Sequence, residues 1–247
     1  MPDTILRLEA VTAGYDQAAV IRDVEVAVRP GEVVALLGAN GAGKTTTLRA
    51  VSGLVKPMDG RILFAGEDLA RSSPSARARL GIAHVPEGRG LFFGLTVAEH
   101  FRLAPRNESL DEALAYEYFP RLEPLQKRRV GLLSGGEQQM LAVARALARK
   151  PKVLLLDELS LGLAPVIVER LLPVVREFAQ ERGCAVVLVE QHVHLALEVA
   201  DRGYVLSHGR IVLEHDAEHL RANKLLLIAS YLGEGVQGAP AEGGERA

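Results

Sequence analysis

The sequence predicts an α/β protein in which a mixed, mainly parallel sheet adjoins an antiparallel β layer and a helical subdomain. Three observations carry this. The apolar run Val33-Val34-Ala35-Leu36-Leu37 stops at Gly38, and a helical stretch follows over residues 44–51. A second run, Val153-Leu154-Leu155-Leu156, stops at Asp157-Glu158. From about residue 88 to residue 150 the strand signal fades and helical patterns replace it. Continuous apolar runs are the mark of strands covered on both faces, and strands alternating with helices mark a parallel sheet.

In chain order, residues 5–10 are expected to form a first strand and residues 33–37 a buried one. Residues 60–65, turning at Gly66-Glu67-Asp68, belong to the antiparallel layer. Thr96-Val97-Ala98-Glu99 has the spacing of a capping box, in which hydroxyl and carboxylate each satisfy a backbone N–H, so a helix opens there. Further helices are expected over residues 110–119 and 136–150. In the second of these, Met140, Leu141, Val143, Ala144, Leu147 and Ala148 recur at helical spacing. Strand–helix alternation returns over residues 151–206, including a buried strand at 185–189. Residues 202–206, Ser207-His208-Gly209 and 211–213 make a hairpin. The expected organisation is a core with the antiparallel layer over residues 1–87, a helical subdomain over 88–150, the rest of the core over 151–233, and a disordered tail over 234–247.

Gly38-Ala39-Asn40-Gly41-Ala42-Gly43-Lys44-Thr45 falls between a buried strand and a helix, the context a phosphate-binding loop requires. Glycines at 38, 41 and 43, with Asn40 between them, let backbone N–H groups converge on phosphate oxygens. The helix N-terminus adds partial positive charge. Lys44 is expected on the β- and γ-phosphates of a nucleoside triphosphate, the Thr45 hydroxyl on Mg²⁺, and Thr46 on a neighbouring phosphate. Asp157 and Glu158 stand at the C-terminal end of a strand, where ligands bind in open α/β sheets. Asp157 suits Mg²⁺ through a water, and Glu158 suits the orientation and deprotonation of the attacking water. Ser134-Gly135-Gly136-Glu137 is a capping box, yet two glycines weaken a helix start. Their use is close approach of the backbone to an anion, which gives the chain a second phosphate-facing helix start.

Leu133-Ser134-Gly135-Gly136-Glu137-Gln138-Gln139 resembles the signature motif of ATP-binding cassette (ABC) ATPases, and the phosphate loop, Asp157-Glu158 and residues 160–164 fall in that family's order. The resemblance implies a P-loop NTPase of ABC-ATPase type that hydrolyses ATP with Mg²⁺. It also implies a dimer in which the signature of one subunit closes over the γ-phosphate held by the other. Ser134, Gly135, Gly136 and Gln138 would then face the opposing nucleotide, and residues 160–164 would cross the interface. Tyr15 stands where the family stacks a ring on adenine, although a tyrosine beside Gly14 is equally a turn residue. Leu159 replaces the family's usual proline.

Two further departures resemble one branch. Val85-Pro86-Glu87-Gly88-Arg89 carries Glu87 where most relatives place a glutamine near Mg²⁺, and Val189-Glu190-Gln191 carries Gln191 in place of a histidine. These strings are similar to the branched-chain amino-acid uptake ATPase, which pairs with a second, non-identical cassette; Tyr231-Leu232-Gly233 also fits. Urea and amide uptake ATPases are near relatives, set apart mainly by Glu87. The resemblance implies a membrane permease as partner and a place on the inner face of the cell membrane. Gln191 is then expected to position and sense the γ-phosphate. Glu87 either ligates the metal, directly or through water, or turns toward Arg89. The other ABC reading is a soluble, non-transport ATPase, whose coiled-coil insert, second cassette or basic extensions this chain does not carry.

Net charge is −2, so no basic footprint points to nucleic acid. Apolar residues at 48% supply a substantial core. The single cysteine, Cys184, excludes an internal disulfide and fits a reducing compartment. No signal peptide or membrane span is read from the sequence. His192 with His194, His215 with His219, and the run Lys127-Arg128-Arg129 are expected to be solvated. Leu91-Phe92-Phe93 is either a minor core cluster or a docking surface for the permease, and docking is the stronger reading because exposed apolar groups need a partner.

Overall fold

The computed structural model describes residues 4–104, 109–190 and 192–223. Strand β1 (Leu6–Tyr15) pairs antiparallel with β2 (Ala18–Val28), and Leu6, Leu8, Val11 and Ala13 are buried against Ile21, Val24, Val26 and Val28. A register shift between Leu8 and Val11, with Ala10 at φ 47°, keeps both halves of β1 facing inward despite the odd spacing. Then come β3 (Val33–Leu37), α1 (Lys44–Ser52), β4 (Pro57–Phe64) and β5 (Glu67–Asp68). Strands β2-β1-β4-β5 form a four-stranded antiparallel sheet.

The chain continues through α2 (Pro74–Leu80), β6 (Ile82–Val85), α3 (Val97–Arg102), α4 (Glu112–Tyr118), two short 3₁₀ turns and α5 (Gly135–Leu147). It then alternates β7 (Val153–Asp157), α6 (Pro165–Arg182), β8 (Ala185–Val189) and α7 (Val193–Val199), and closes with β9 (Arg202–Ser207), β10 (Arg210–Asp216) and α8 (Ala217–Ala222). The second sheet has the order β10-β9-β3-β8-β7-β6, with every pair parallel except β10 on β9.

Side chains alternate between the faces of a strand, and that rule decides the layering. Val33, Ala35 and Leu37 of β3 enter a core built with α5, α6 and α7; Val34 and Leu36 enter a core built with α1 and the antiparallel sheet. Leu154 and Leu156 of β7, and Val186 and Leu188 of β8, go the first way; Val153, Leu155, Ala185 and Val187 go the second. The central sheet is thus covered on both faces, which is why its strands are apolar throughout. Because β3, β8 and β7 run parallel, their C-terminal ends open on one edge.

The strands expected at 33–37, 153–156 and 185–189, both capping boxes and the closing hairpin are all present. β1 runs on to Tyr15, past the expected end at residue 10. β2 and α2 have no counterpart in the sequence reading. Residues 224–247, with Tyr231-Leu232-Gly233 and the expected tail, lie outside the described residues.

Helix α1, which follows the phosphate loop, is fixed at its far end by Arg77 of α2. That guanidinium is buried and donates to Ala50 O at 2.7 Å, Val51 O at 2.8 Å and Leu69 O at 2.9 Å. Ala50 and Val51 lie in the last turn of α1, where helix carbonyls run short of internal donors, and Leu69 lies in the turn after β5. Beside it, His84 of β6 meets Ser52 Oγ through Nδ1 at 3.2 Å, while Nε2 is buried with no hydrogen-bond partner among the described residues. Burial, with Arg49 adding repulsion, pushes the His84 imidazole down to about 4.

A base with a depressed folded-state pKa contributes stability that is full above its unfolded value and lost as pH falls. The window for His84 runs from its ordinary value near 6.5 down to about 4. By pH 5 the loss is about 2 kcal/mol. Urea unfolding of the wild type and His84→Gln at pH 7.5 and 5 should show the stability gap between them closing by this amount. Curves that stay parallel across the window would contradict it.

Candidate functional site

The open edge of the central sheet carries the site. Gly43, the residue before α1, has φ 110°, and a Cβ there would sit 2.5 Å from Ile21 Cγ2, so only glycine fits the turn into the helix. No side chain caps α1 and its first turn holds no acid. Its leading N–H groups therefore have no side-chain acceptor competing with a phosphate. Lys44 is buried, and its ammonium donates to Gly38 O at 2.8 Å and Ala39 O at 3.1 Å, so its charge is held over the loop. Burial pulls its pKa below the usual lysine range, against the raising influence of Glu158 and Asp157.

Two strands away, Asp157 ends β7 with 2% of its surface exposed. The Thr45 hydroxyl donates to its Oδ1 at 3.1 Å and ties loop to carboxylate. Burial pushes Asp157 up to about 6; the Thr45 hydrogen bond and Arg49 pull the other way, while Glu158 and Glu87 push with the burial. Such a carboxylate favours a cation beside it. Among the described residues no group of three or more His, Cys, Asp and Glu gathers into a metal cage. One hydroxyl and one carboxylate beside a phosphate loop suit Mg²⁺, which keeps several waters and is bound through substrate phosphates.

Glu158 follows with φ 49°, left-handed backbone that costs a non-glycine residue about 1–3 kcal/mol. Its N–H donates to Val189 O at 2.9 Å, which extends the pairing of β7 with β8 by one residue. The turn sends the chain back so that Leu159 is fully buried. Leu159, at the family's proline position, therefore serves as core.

The other expected residues divide. Gly38, Asn40, Gly41, Thr46 and Gly43 share the loop and helix start with Lys44 and Thr45. Tyr15 is 42% exposed at the end of β1, and its hydroxyl accepts from Arg49 Nη1 at 3.0 Å, which sets the ring beside α1. Glu87 is exposed after β6 and close enough to act electrostatically on Asp157. It is not paired through Arg89: that guanidinium donates to Gln139 Oε1 at 2.9 Å and Gln138 Oε1 at 2.7 Å. Gln138 also donates to Val130 O and Leu133 O, both at 3.2 Å, so its side chain is spent inside its own subunit. Gln191 lies outside the described residues.

Ser134 is exposed at the start of α5, and its reciprocal bonds with Glu137 are in place: Ser134 N to Glu137 Oε2 at 2.7 Å and Glu137 N to Ser134 Oγ at 3.3 Å. A Cβ on Gly136 would sit 3.1 Å from Ile167 Cγ2, so α5 packs closely on α6 at this point. Leu91 packs on the core, while Phe92 and Phe93 are each 60% exposed. The buried His100 holds this loop, accepting from Phe92 N at 3.0 Å through Nε2 while Nδ1 donates to Thr96 O at 2.8 Å. Cys184 is buried, and burial pushes its thiol up to about 12, so it is inert. His215 and His219 stack at 3.6 Å on the surface, and Lys127-Arg128-Arg129 is exposed.

Two residues of the site's surroundings escaped the sequence reading. Arg49 links Tyr15 to the Asp157 region, and Glu190 is fully buried after β8. For Glu190 a signal existed: a charged residue directly following five buried apolar ones is almost never fully buried without partners.

A glycine loop between a parallel strand and a helix, a buried lysine, and a carboxylate pair two strands away define a nucleoside-triphosphate hydrolase. The ABC transporter family pattern matches residues 21–160, more than half of the chain. The high-affinity branched-chain amino acid transport ATP-binding protein BraG of Pseudomonas aeruginosa is 43% identical over 236 residues, covering 93% of this chain and 100% of that one. A probable branched-chain amino acid transport ATP-binding protein, LivF, of Archaeoglobus fulgidus is 34% identical, covering 90% of this chain and 98% of its own. The ADP conformation of MJ1267, an ATP-binding cassette of an ABC transporter, superposes with a TM-score of 0.79 at 25% identity, covering 94% and 99%. The chain belongs to the ABC transporter family of ATP-binding subunits and is a nucleotide-binding ATPase.

Removing the Asp157 charge separates stability from function. A carboxylate whose folded pKa is raised destabilises the protein increasingly as pH rises from its ordinary value near 3.8, and fully above about 6. Asp157→Asn should therefore unfold at higher urea than wild type at pH 7.5 without nucleotide, by about 2–3 kcal/mol, and lose the further stabilisation that Mg²⁺ with ATP gives the wild type. A variant less stable than wild type would contradict the electrostatic account.

Proposed function

We propose that this chain hydrolyses ATP to drive branched-chain amino-acid uptake through a membrane permease. The observation that carries the proposal is the end-to-end agreement with BraG at 43% identity. No helix among the described residues is long and apolar enough to cross a membrane, so attachment to the inner face of the membrane rests on the permease. Phe92 and Phe93, exposed on a loop held by His100, supply the apolar surface for that contact.

Lys44 takes the β- and γ-phosphates, with the loop N–H groups of residues 38–46 around them. Thr45 and, through a water, Asp157 would hold Mg²⁺, which neutralises charge on the phosphates. Glu87 lies near enough to answer to that charge and to couple it to the Leu91-Phe92-Phe93 loop. Tyr15 offers adenine a ring face. Glu158 orients the attacking water and takes its proton, and Gln191 donates a hydrogen bond to the γ-phosphate. The backbone at Ser134, Gly135 and Gly136 is directed at the nucleotide of the opposing cassette, which is a second, non-identical chain or another copy of this one. Gln138 serves that surface by bracing the start of α5 rather than by touching nucleotide.

Glu158→Gln should bind ATP with affinity near wild type and lose about 10²–10⁴-fold in turnover, the usual contribution of a general base. ATP hydrolysis at the wild-type rate would remove Glu158 from that role. In vesicles holding the permease and both cassettes, leucine uptake should require ATP inside; uptake of urea instead would redirect the substrate. Phe92→Ala with Phe93→Ala should keep basal hydrolysis within about twofold and lose stimulation by the permease, as expected for an exposed apolar contact. Full stimulation of the double variant would place docking elsewhere.

A further inference from the structure

Glu158 carries the strained turn of the site, and a position of this kind persists only where its surroundings over-determine it. Three contacts do so. Its own N–H is held by Val189 O at 2.9 Å. Leu159 is fully buried in the core. Ser160, 4% exposed, is gripped at two points by the Glu190 carboxylate: its N–H donates to Oε1 at 3.0 Å and its hydroxyl to Oε2 at 2.5 Å. Glu190 is itself fully buried, directly after β8.

From these contacts we infer that Glu190 is a positioning residue for ATP hydrolysis, acting through Ser160 to fix the direction of the Glu158 carboxylate. The grip joins the segment after β7 to the end of β8 across 30 residues of sequence. An ionised carboxylate accepts only, so both of its oxygens are matched to the two donors of one residue. Ser160 also begins the next turn, where Leu163 N–H donates to Ser160 O at 3.0 Å. The same clamp therefore sets how residues 161–164 leave the site. When Ser160 is released, the left-handed turn at Glu158 is free to relax toward extended backbone, and its carboxylate leaves the position of the attacking water. Glu190 touches neither water nor nucleotide in this scheme.

The inference rests on Glu158 as the base, so Glu158→Gln is measured alongside. Steady-state ATPase rates and ATP binding are compared for wild type, Ser160→Ala, Glu190→Ala, Glu190→Gln and the double alanine variant. A misplaced catalytic group costs on the order of tenfold or more in turnover. Ser160→Ala and Glu190→Ala should each lower kcat about that much and leave the ATP KM and Kd within about threefold. The double variant should be no worse than Glu190→Ala, because the two residues act as one unit. Glu190→Gln should keep kcat within about threefold, since its amide keeps both contacts with the hydroxyl reversed.

Wild-type kcat in Ser160→Ala overturns the inference. So do multiplying losses in the double variant, or a loss confined to KM. Should Glu190→Ala fail to fold, Ser160→Ala decides alone, because it removes one hydroxyl. An active Glu158→Gln overturns the base assignment instead. An inactive Glu158→Gln beside fully active Ser160 and Glu190 variants overturns only the clamp.

Discussion

Everything at this site depends on β3, β8 and β7 running parallel in adjacent positions. Each strand delivers its C-terminal end to the same edge, so the phosphate loop after β3, Asp157-Glu158 at the end of β7 and Glu190 after β8 converge although they are far apart in the chain. The hydrogen bond from Thr45 to Asp157 spans 112 residues of sequence and exists because β8 alone separates the two strands. An antiparallel order would send one of these ends to the opposite edge. The helices on one face and the antiparallel sheet with α1 on the other keep the central strands dry, and that dryness gives the buried charges their leverage.

The site holds several features that oppose folding: a buried ammonium at Lys44, a buried carboxylate at Asp157 and left-handed backbone at Glu158. The left-handed backbone costs about 1–3 kcal/mol, and burial disfavours the charged forms of Lys44 and Asp157. None is explained by the stability of the isolated chain. The proposed ligand, anionic and accompanied by a cation, would answer the two buried charges, with phosphates at Lys44 and a metal at Asp157. Functional sites are where a fold tolerates such costs.

Much of this was legible in the sequence, for reasons that are local. The strands at 33–37, 153–156 and 185–189 are continuous apolar runs because both faces are covered. The capping boxes at Thr96 and Ser134 follow from spacings of three residues. The phosphate loop is contiguous. What stayed hidden depends on residues distant in the chain. Among the described residues Arg89 forms no ion pair and instead braces Gln138 and Gln139, 49 and 50 residues away. The Glu190 grip on Ser160 has no local signature beyond a charge after a buried strand. β2 is hard to read although Val24, Val26 and Val28 alternate with Glu25 and Ala27, because Arg22 and Asp23 both face outward in succession and break the period of two.

Thr45 and Asp157 are proposed to form together the cation seat of a triphosphate held in the 38–46 loop. Anomalous diffraction from the protein crystallised with Mn²⁺ and a non-hydrolysable ATP analogue tests it most directly. One manganese peak is expected in coordination contact with Thr45 Oγ1, with the Asp157 carboxylate one water away and the triphosphate along the loop. A peak held by Glu87 alone, or a triphosphate lying outside the loop, would contradict it.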